Sequence, residues 1–423
     1  MDAARPQQWS SRCKLAVASI SLLAAVYVRA WPAVVRHLPG WVPVGVPSLA
    51  FLPHSALTTS TCRAAKFGVS NRAASTNDLH TSPNVTSSPG AARLALSPPD
   101  CPLFRANPTK FPHHGCAQQS GGHLARFERL LSGLVPRRTQ QQTGARLSRI
   151  FAHRNVVLSG DSIAYQHYVA LCCEMWTHAR RNVQDWYFVH NGEVHRGSAH
   201  VRTTGKKSSQ CLVLHDTSVC FFNSESTIGG ASLGTSDVLQ LSLDAHVLGP
   251  GHIAVVNAGL HFLPDQRRAR AGELAAYAWN SLPERWPLLF WRKTSSTHFA
   301  VPNGGFPGFN DSRSFVPCQA HVTQPPEEET AVLGQIPTLA TEDASYHFAH
   351  LGRIKSGHVS DCSHWCNPGV PNLWNRILLD ALQGCRIPKV KPPWGNMTDR
   401  ANTLAVLQQT YLAALRHARP LNR

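Results

Sequence analysis

Ser162 closes the tripeptide Gly160-Asp161-Ser162, and Asp361 and His364 stand three residues apart near the far end of the chain. A serine hydroxyl becomes a nucleophile when a neighbouring imidazole takes its proton. A carboxylate can then hold that imidazole in the right tautomer. If Asp361 and His364 occupy one turn, their side chains share a face, leaving one ring nitrogen free for Ser162. The chemistry such a set performs is acyl transfer. Each piece alone has a plainer reading. A Gly-Asp-Ser arises by chance in about one chain in ten of this size, and His364-Trp365-Cys366 would serve as a disulfide-pinned corner.

The flanking residues say which elements must position these groups. Val156-Val157-Leu158 is a β-branched-rich run ahead of the turn, and Ile163 to Met175 has helical spacing. A strand, a tight turn and a helix would present Ser162 at a sheet end, where helix N-terminal amides receive an oxyanion. His252 to Val256 predicts a second buried strand, running into Asn257-Ala258-Gly259-Leu260-His261. Trp286 to Trp291 predicts a third, running into Arg292 to Phe299. Three apolar runs that spill into polar loops fit an open α/β sheet with its ligand beyond the C-terminal strand ends. Asn257 could donate its amide to an oxyanion there, or simply close an Asx turn.

The rest of the chain sets the context. It holds 41 Lys+Arg against 24 Asp+Glu in 423 residues, with 43% apolar residues. That is enough to bury a core, and the basic excess reads first as a solvated surface, with an acidic glycan a weaker option. No basic run or zinc-finger pattern occurs, so nucleic acid is not an expected partner. Leu15 to Val28 is apolar and follows Arg5, Arg12 and Lys14. It is short against the about 20 residues of a free span and suits a signal peptide or signal anchor; a transit peptide is the third reading. The sequons at Asn84, Asn310 and Asn396 favour the secretory pathway. From about His54 to Pro99 the chain is Ser-, Thr-, Ala- and Pro-rich and reads as a stem. The expected organisation is an N-terminal stub and membrane segment over residues 1–31, a stem over 32–100, and one acyl-transfer domain over 101–423.

Of the 12 cysteines, eleven follow the apolar stretch, which predicts a disulfide-bearing lumenal domain with at least one free thiol. Cys172-Cys173, on the expected helix, could instead be buried thiols. The Cys362-Ser363-His364-Trp365-Cys366 spacing matches no usual zinc pattern, and no metal is expected.

DCSHWCNPGVPNLWN, from Asp361, resembles the Asp-x-x-His block of the trichome-birefringence-like and PC-esterase proteins, plant-type polysaccharide O-acetyltransferases. VVLSGDS resembles that family's strand and Gly-Asp-Ser turn. VVNAGLHF is similar to its Asn-x-Gly-His segment with Leu260 inserted, and FWRKTSSTHF to its Arg-Thr-x-Ser-x-x-His-Phe segment. Asn303-Gly304-Gly305 with Cys318 loosely follows its Gly-Gly-x-Cys stretch. The blocks stand in family order over about residues 150 to 380. The family carries an Arg-Asn pair after the serine where this chain has Tyr165-Gln166.

The resemblance implies a three-layer αβα SGNH-hydrolase-like fold with a mostly parallel sheet. It implies Ser162, His364 and Asp361 as catalytic residues, and Gly160, Asp161, Asn257, Gly259, His261 and Arg292 as oxyanion or substrate-binding positions. It also implies a Cys318–Cys362 bridge, a glycan acceptor, an acetyl donor (acetyl-CoA or another ester) with no bound cofactor, and a Golgi membrane protein with its domain in the lumen. A secreted protein is the alternative. The expected activity is O-acetyl transfer through an acyl-serine. Rivals are an acetyl esterase of the same fold and a silent glycan-binding protein, for which Tyr165-Gln166 would signal decay.

Overall fold

The computed structural model describes residues 101, 103, 137–179, 185–197, 209–224, 233–259, 262, 264–280, 286–295, 330–334, 336–341, 352–354, 360–365, 370–385, 387–390 and 396–418. The apolar stretch at Leu15, the stem, His261, Cys318 and the sequons at Asn84 and Asn310 lie outside them.

The strands are β1 (Asn155–Gly160), β2 (Trp186–His190), β3 (Glu193–Arg196), β4 (Ser209–Leu214), β5 (Thr217–Asn223), β6 (Ile253–Val256), β7 (Leu288–Arg292), β8 (Thr338–Leu339), β9 (Gly352–Ile354) and β10 (Ser360–Trp365). The helices are α1 (Arg137–Phe151), α2 (Ser162–Ala179), α3 (Thr235–Asp244), α4 (Pro264–Asn280), α5 (Val370–Gln383) and α6 (Met397–His417). The first eight strands form one sheet in the order β3-β2-β4-β5-β1-β6-β7-β8. β5, β1, β6, β7 and β8 run parallel, while β4, β2 and β3 extend the sheet through antiparallel pairs.

Alternation of side chains assigns each strand residue to a layer. Val156, Leu158, Ile253, Val255, Leu288 and Phe290 pack with α1, α2 and α5. Val157, Val213, Phe222, Ala254, Val256, Leu289 and Trp291 pack with α3, α4 and α6. Strands buried on both sides read as continuous apolar runs, which is why β1, β6 and β7 were visible in the sequence. The fold is thus the expected three-layer αβα arrangement around a mainly parallel sheet. Helix α2 is buried at every residue from Ile163 to Cys173, as a helix enclosed by sheet, α1 and α5 must be.

Each face carries a disulfide. Cys101–Cys173 ties a residue 72 positions earlier in the chain to α2, and Cys211–Cys220 bridges directly opposed residues of β4 and β5. Cys172 is a free, buried thiol. Of the adjacent cysteines on α2, one is therefore bridged and one is not. Among the described residues no helix is long and apolar enough to cross a membrane.

Candidate active site

Parallel order changes direction at β1, with β5 on one side and β6 on the other, and the crevice beyond their C-terminal ends is the ligand position of such sheets. The turn after β1 is built for a close approach. The Asp161 carboxylate is buried and caps α2, accepting from the Ile163 N–H at 2.9 Å and the Ala164 N–H at 3.3 Å. A Cβ on Gly160 would sit 2.8 Å from that of Ala164, so only glycine lets the strand turn into the helix here. Gly259, in the left-handed region at φ +91°, presses on Asp161; a Cβ there would stand 2.8 Å from its carboxylate. Asp161 and Gly259 thus shape the turn from opposite sides.

Ser162 follows as the first residue of α2 and is only partly buried. Its Oγ lies 2.7 Å from His364 Nε2, joining residues 202 positions apart. His364 Nδ1 lies 3.1 Å from Ser363 Oγ. The Ser162 N–H has no hydrogen-bond acceptor among the described residues and stands at the positive end of the α2 dipole.

His364 and Asp361 are carried by β10, an extended strand, and not by the helical turn their spacing suggested. In a regular strand residues three apart face opposite ways, but the β9–β10 pairing shifts register between Ser360 and Trp365. Five steps along β10 there face two along β9, so the regular alternation does not run through that stretch. The side chains of Asp361 and Cys362 lie outside the described residues, as does the expected bridge from Cys362 to Cys318.

The Asn257 amide donates to the Arg292 carbonyl at 2.9 Å and the Thr294 hydroxyl at 3.3 Å, so in this structure it joins the ends of β6 and β7. Arg292 is buried at the end of β7, its guanidinium 5.1 Å from the Trp374 ring on α5. His167 meets Trp374 edge-on at 5.8 Å. Burial, reinforced by the Arg292 charge, lowers the His167 pKa to about 3, which keeps the ring neutral. One helical face further along, Glu174 accepts from the Asn372 amide at 2.6 Å, and burial raises its pKa to about 7. These groups line the α2–α5 contact beside the serine turn.

Sequence reasoning missed Gln166, whose buried side chain accepts from the Trp365 N–H at 3.0 Å and donates to the Trp365 carbonyl at 2.6 Å. The signal was its position, one helical turn after Ser162 on the same face. Its neighbour Tyr165 instead packs against Phe221 and Tyr168 in the core. No group of three or more metal-ligating side chains occurs among the described residues.

Comparison with known proteins meets this geometry at its far end. The PC-Esterase family, described as a GDSL/SGNH-like acyl-esterase family found in Pmr5 and Cas1p, matches residues 340–381, which include β10 and most of α5. Protein trichome birefringence-like 42 of Arabidopsis thaliana is 28% identical over 142 residues, 29% of this chain and 40% of its own length. Protein trichome berefringence-like 7 of the same plant is 76% identical over 21 residues, 5% of each chain. The chain thus spans about two fifths of the first relative's length.

Proposed function

We propose, from the membership of the trichome-birefringence-like and PC-esterase family that both comparisons support, that this protein transfers acetyl groups to a polysaccharide hydroxyl through an acyl-serine. The observation that carries the reading is the 2.7 Å contact between Ser162 Oγ and His364 Nε2 at the C-terminal edge of a parallel sheet. His364 Nε2 takes the hydroxyl proton as Ser162 Oγ attacks the acetyl carbonyl. The oxyanion sits against the Ser162 N–H at the α2 terminus. Collapse expels the donor's leaving group, which receives the proton from His364, and leaves an acetyl-serine. The imidazole then deprotonates a sugar hydroxyl, which takes the acetyl group and restores Ser162.

Asp361 is proposed to hold the imidazole from the Nδ1 side, directly or with Ser363. The donor is acetyl-CoA or another acetyl ester, and no bound cofactor is invoked. The proposed setting is the Golgi lumen, with residues 1–31 as the membrane segment. The Cys101–Cys173 and Cys211–Cys220 disulfides support an oxidising compartment.

The test is intact-mass analysis of the protein incubated with an activated acetyl ester. Wild type is expected to gain one acetyl group transiently, and Ser162→Ala none. Added oligosaccharides then separate transfer from hydrolysis by where the acetyl group ends. No adduct and no turnover across several donors, in folded protein, would exclude the acyl-serine.

A further inference from the structure

The strand that carries His364 stands outside the main sheet. β10 pairs only with β9 among the described strands, and that pairing slips between Ser360 and Trp365. The ladder pairs Trp365 with Gly352 of β9, a strand outside the main sheet, so it does not by itself tie His364 to the serine helix. Gln166 supplies a tie to that helix. Its carboxamide offers one acceptor and two donors, and it meets both backbone groups of Trp365, the residue after His364. Trp365 itself is buried, so neither its N–H nor its carbonyl has water as an alternative partner.

The geometry is a closed circuit. Ser162 and Gln166 lie one turn apart on α2, and each grips one of two consecutive residues of β10: His364 by its ring, Trp365 by its backbone. Only an amide with a two-methylene stem fits both contacts; asparagine is one methylene short, and an ionised glutamate sets an acceptor against the Trp365 carbonyl.

We propose that Gln166 is a positioning residue that fixes His364 Nε2 on Ser162 Oγ, acting through the Trp365 backbone. This rests on the acyl-serine reading above. Where the sequence departs from the family's Arg-Asn pair, it thus places one core residue, Tyr165, and one working residue, Gln166.

The experiment measures p-nitrophenyl acetate turnover by the whole chain in a double-mutant cycle between Gln166→Met and His364→Ala. Gln166→Met keeps the side-chain length and removes both contacts. It is expected to lower kcat by about 10- to 100-fold with KM within about twofold, the scale of a misplaced catalytic group. In the His364→Ala background it should cost nothing further, because the group it positions is gone. An equal loss in both backgrounds, or full activity of Gln166→Met, overturns the proposal.

Gln166→Glu gives an independent reading if the methionine variant does not fold. A protonated carboxyl offers one donor and one acceptor, so its activity relative to wild type should rise as pH falls. A ratio that stays flat with pH also overturns the proposal. If Ser162→Ala and His364→Ala retain full turnover, the acyl-serine reading fails. If they are inactive while Gln166 variants are not, the positioning role alone fails.

Discussion

The two faces of the sheet share one strand pattern and differ in what their helices bring to it. On the α3/α4/α6 face the core between the strands is neutral. Its buried polar side chains bind main chain: Ser242 donates to the Val238 carbonyl, Gln408 to the Val189 carbonyl and Tyr411 to the Asn223 carbonyl. The ionisable groups near that layer, Arg400 and the neighbouring neutral His252, gather where the strands begin. On the α1/α2/α5 face, His167 and Arg292 are buried and Glu174 half-buried between elements, on the helix that carries Ser162 or against it. The comparison teaches a division of labour. Both faces bury extensive apolar area, and the α1/α2/α5 face adds to it ionisable groups that sit beside the site and respond to pH.

The largest test of this division is Leu404→Ala, in the core of α6. It should cost about 2–5 kcal/mol in urea denaturation and leave kcat per folded molecule unchanged. A tenfold fall in that kcat would show that the faces are coupled.

Two disulfides come next, one from each face. Replacing Cys101 and Cys173 by alanine opens a loop of sequence separation 72, and replacing Cys211 and Cys220 one of 9. The chain-entropy relation gives losses of about 4 and about 2.5 kcal/mol respectively. Equal losses by denaturant titration would mean that loop length does not govern them.

The smallest effect is on pH dependence. The Glu174 pKa is raised from 4.5 to about 7, so its contribution is full below pH 4.5 and is lost as pH rises toward 7. His167 and His252 have lowered pKa values, so they contribute above pH 6.5 and lose that contribution on acidification. The two trends oppose each other between pH 4.5 and 6.5. Glu174→Gln removes one of them, so its Tm should fall more steeply than that of wild type from pH 7 to pH 5. Parallel Tm profiles would show that Glu174 does not titrate in that window.

β1, β6 and β7 were legible because a strand buried on both faces leaves an unbroken apolar run, and each ends in the polar residues that gather at the site. The Ser162 turn was legible because capping and close packing demand aspartate and glycine at fixed places. The antiparallel extension was not read, although Asn191-Gly192 between two strands is a hairpin signal, with both residues at positive φ. The strand at His364 was misread as a turn, because spacing of three suits a helix and a slipped register leaves no mark in local sequence. Gln166 was invisible for a deeper reason: its partner is a backbone 199 positions away.

Both borders of the sheet bear on how copies of this protein meet. β3 is short and places exposed Glu193 and Arg196 at its ends, the latter ion-paired to Asp185, while β8 is only two residues long. Neither offers the long, flat, uncharged template that recruits a foreign strand. Among the described residues, both borders of the sheet are therefore poor templates for strand addition by a second copy.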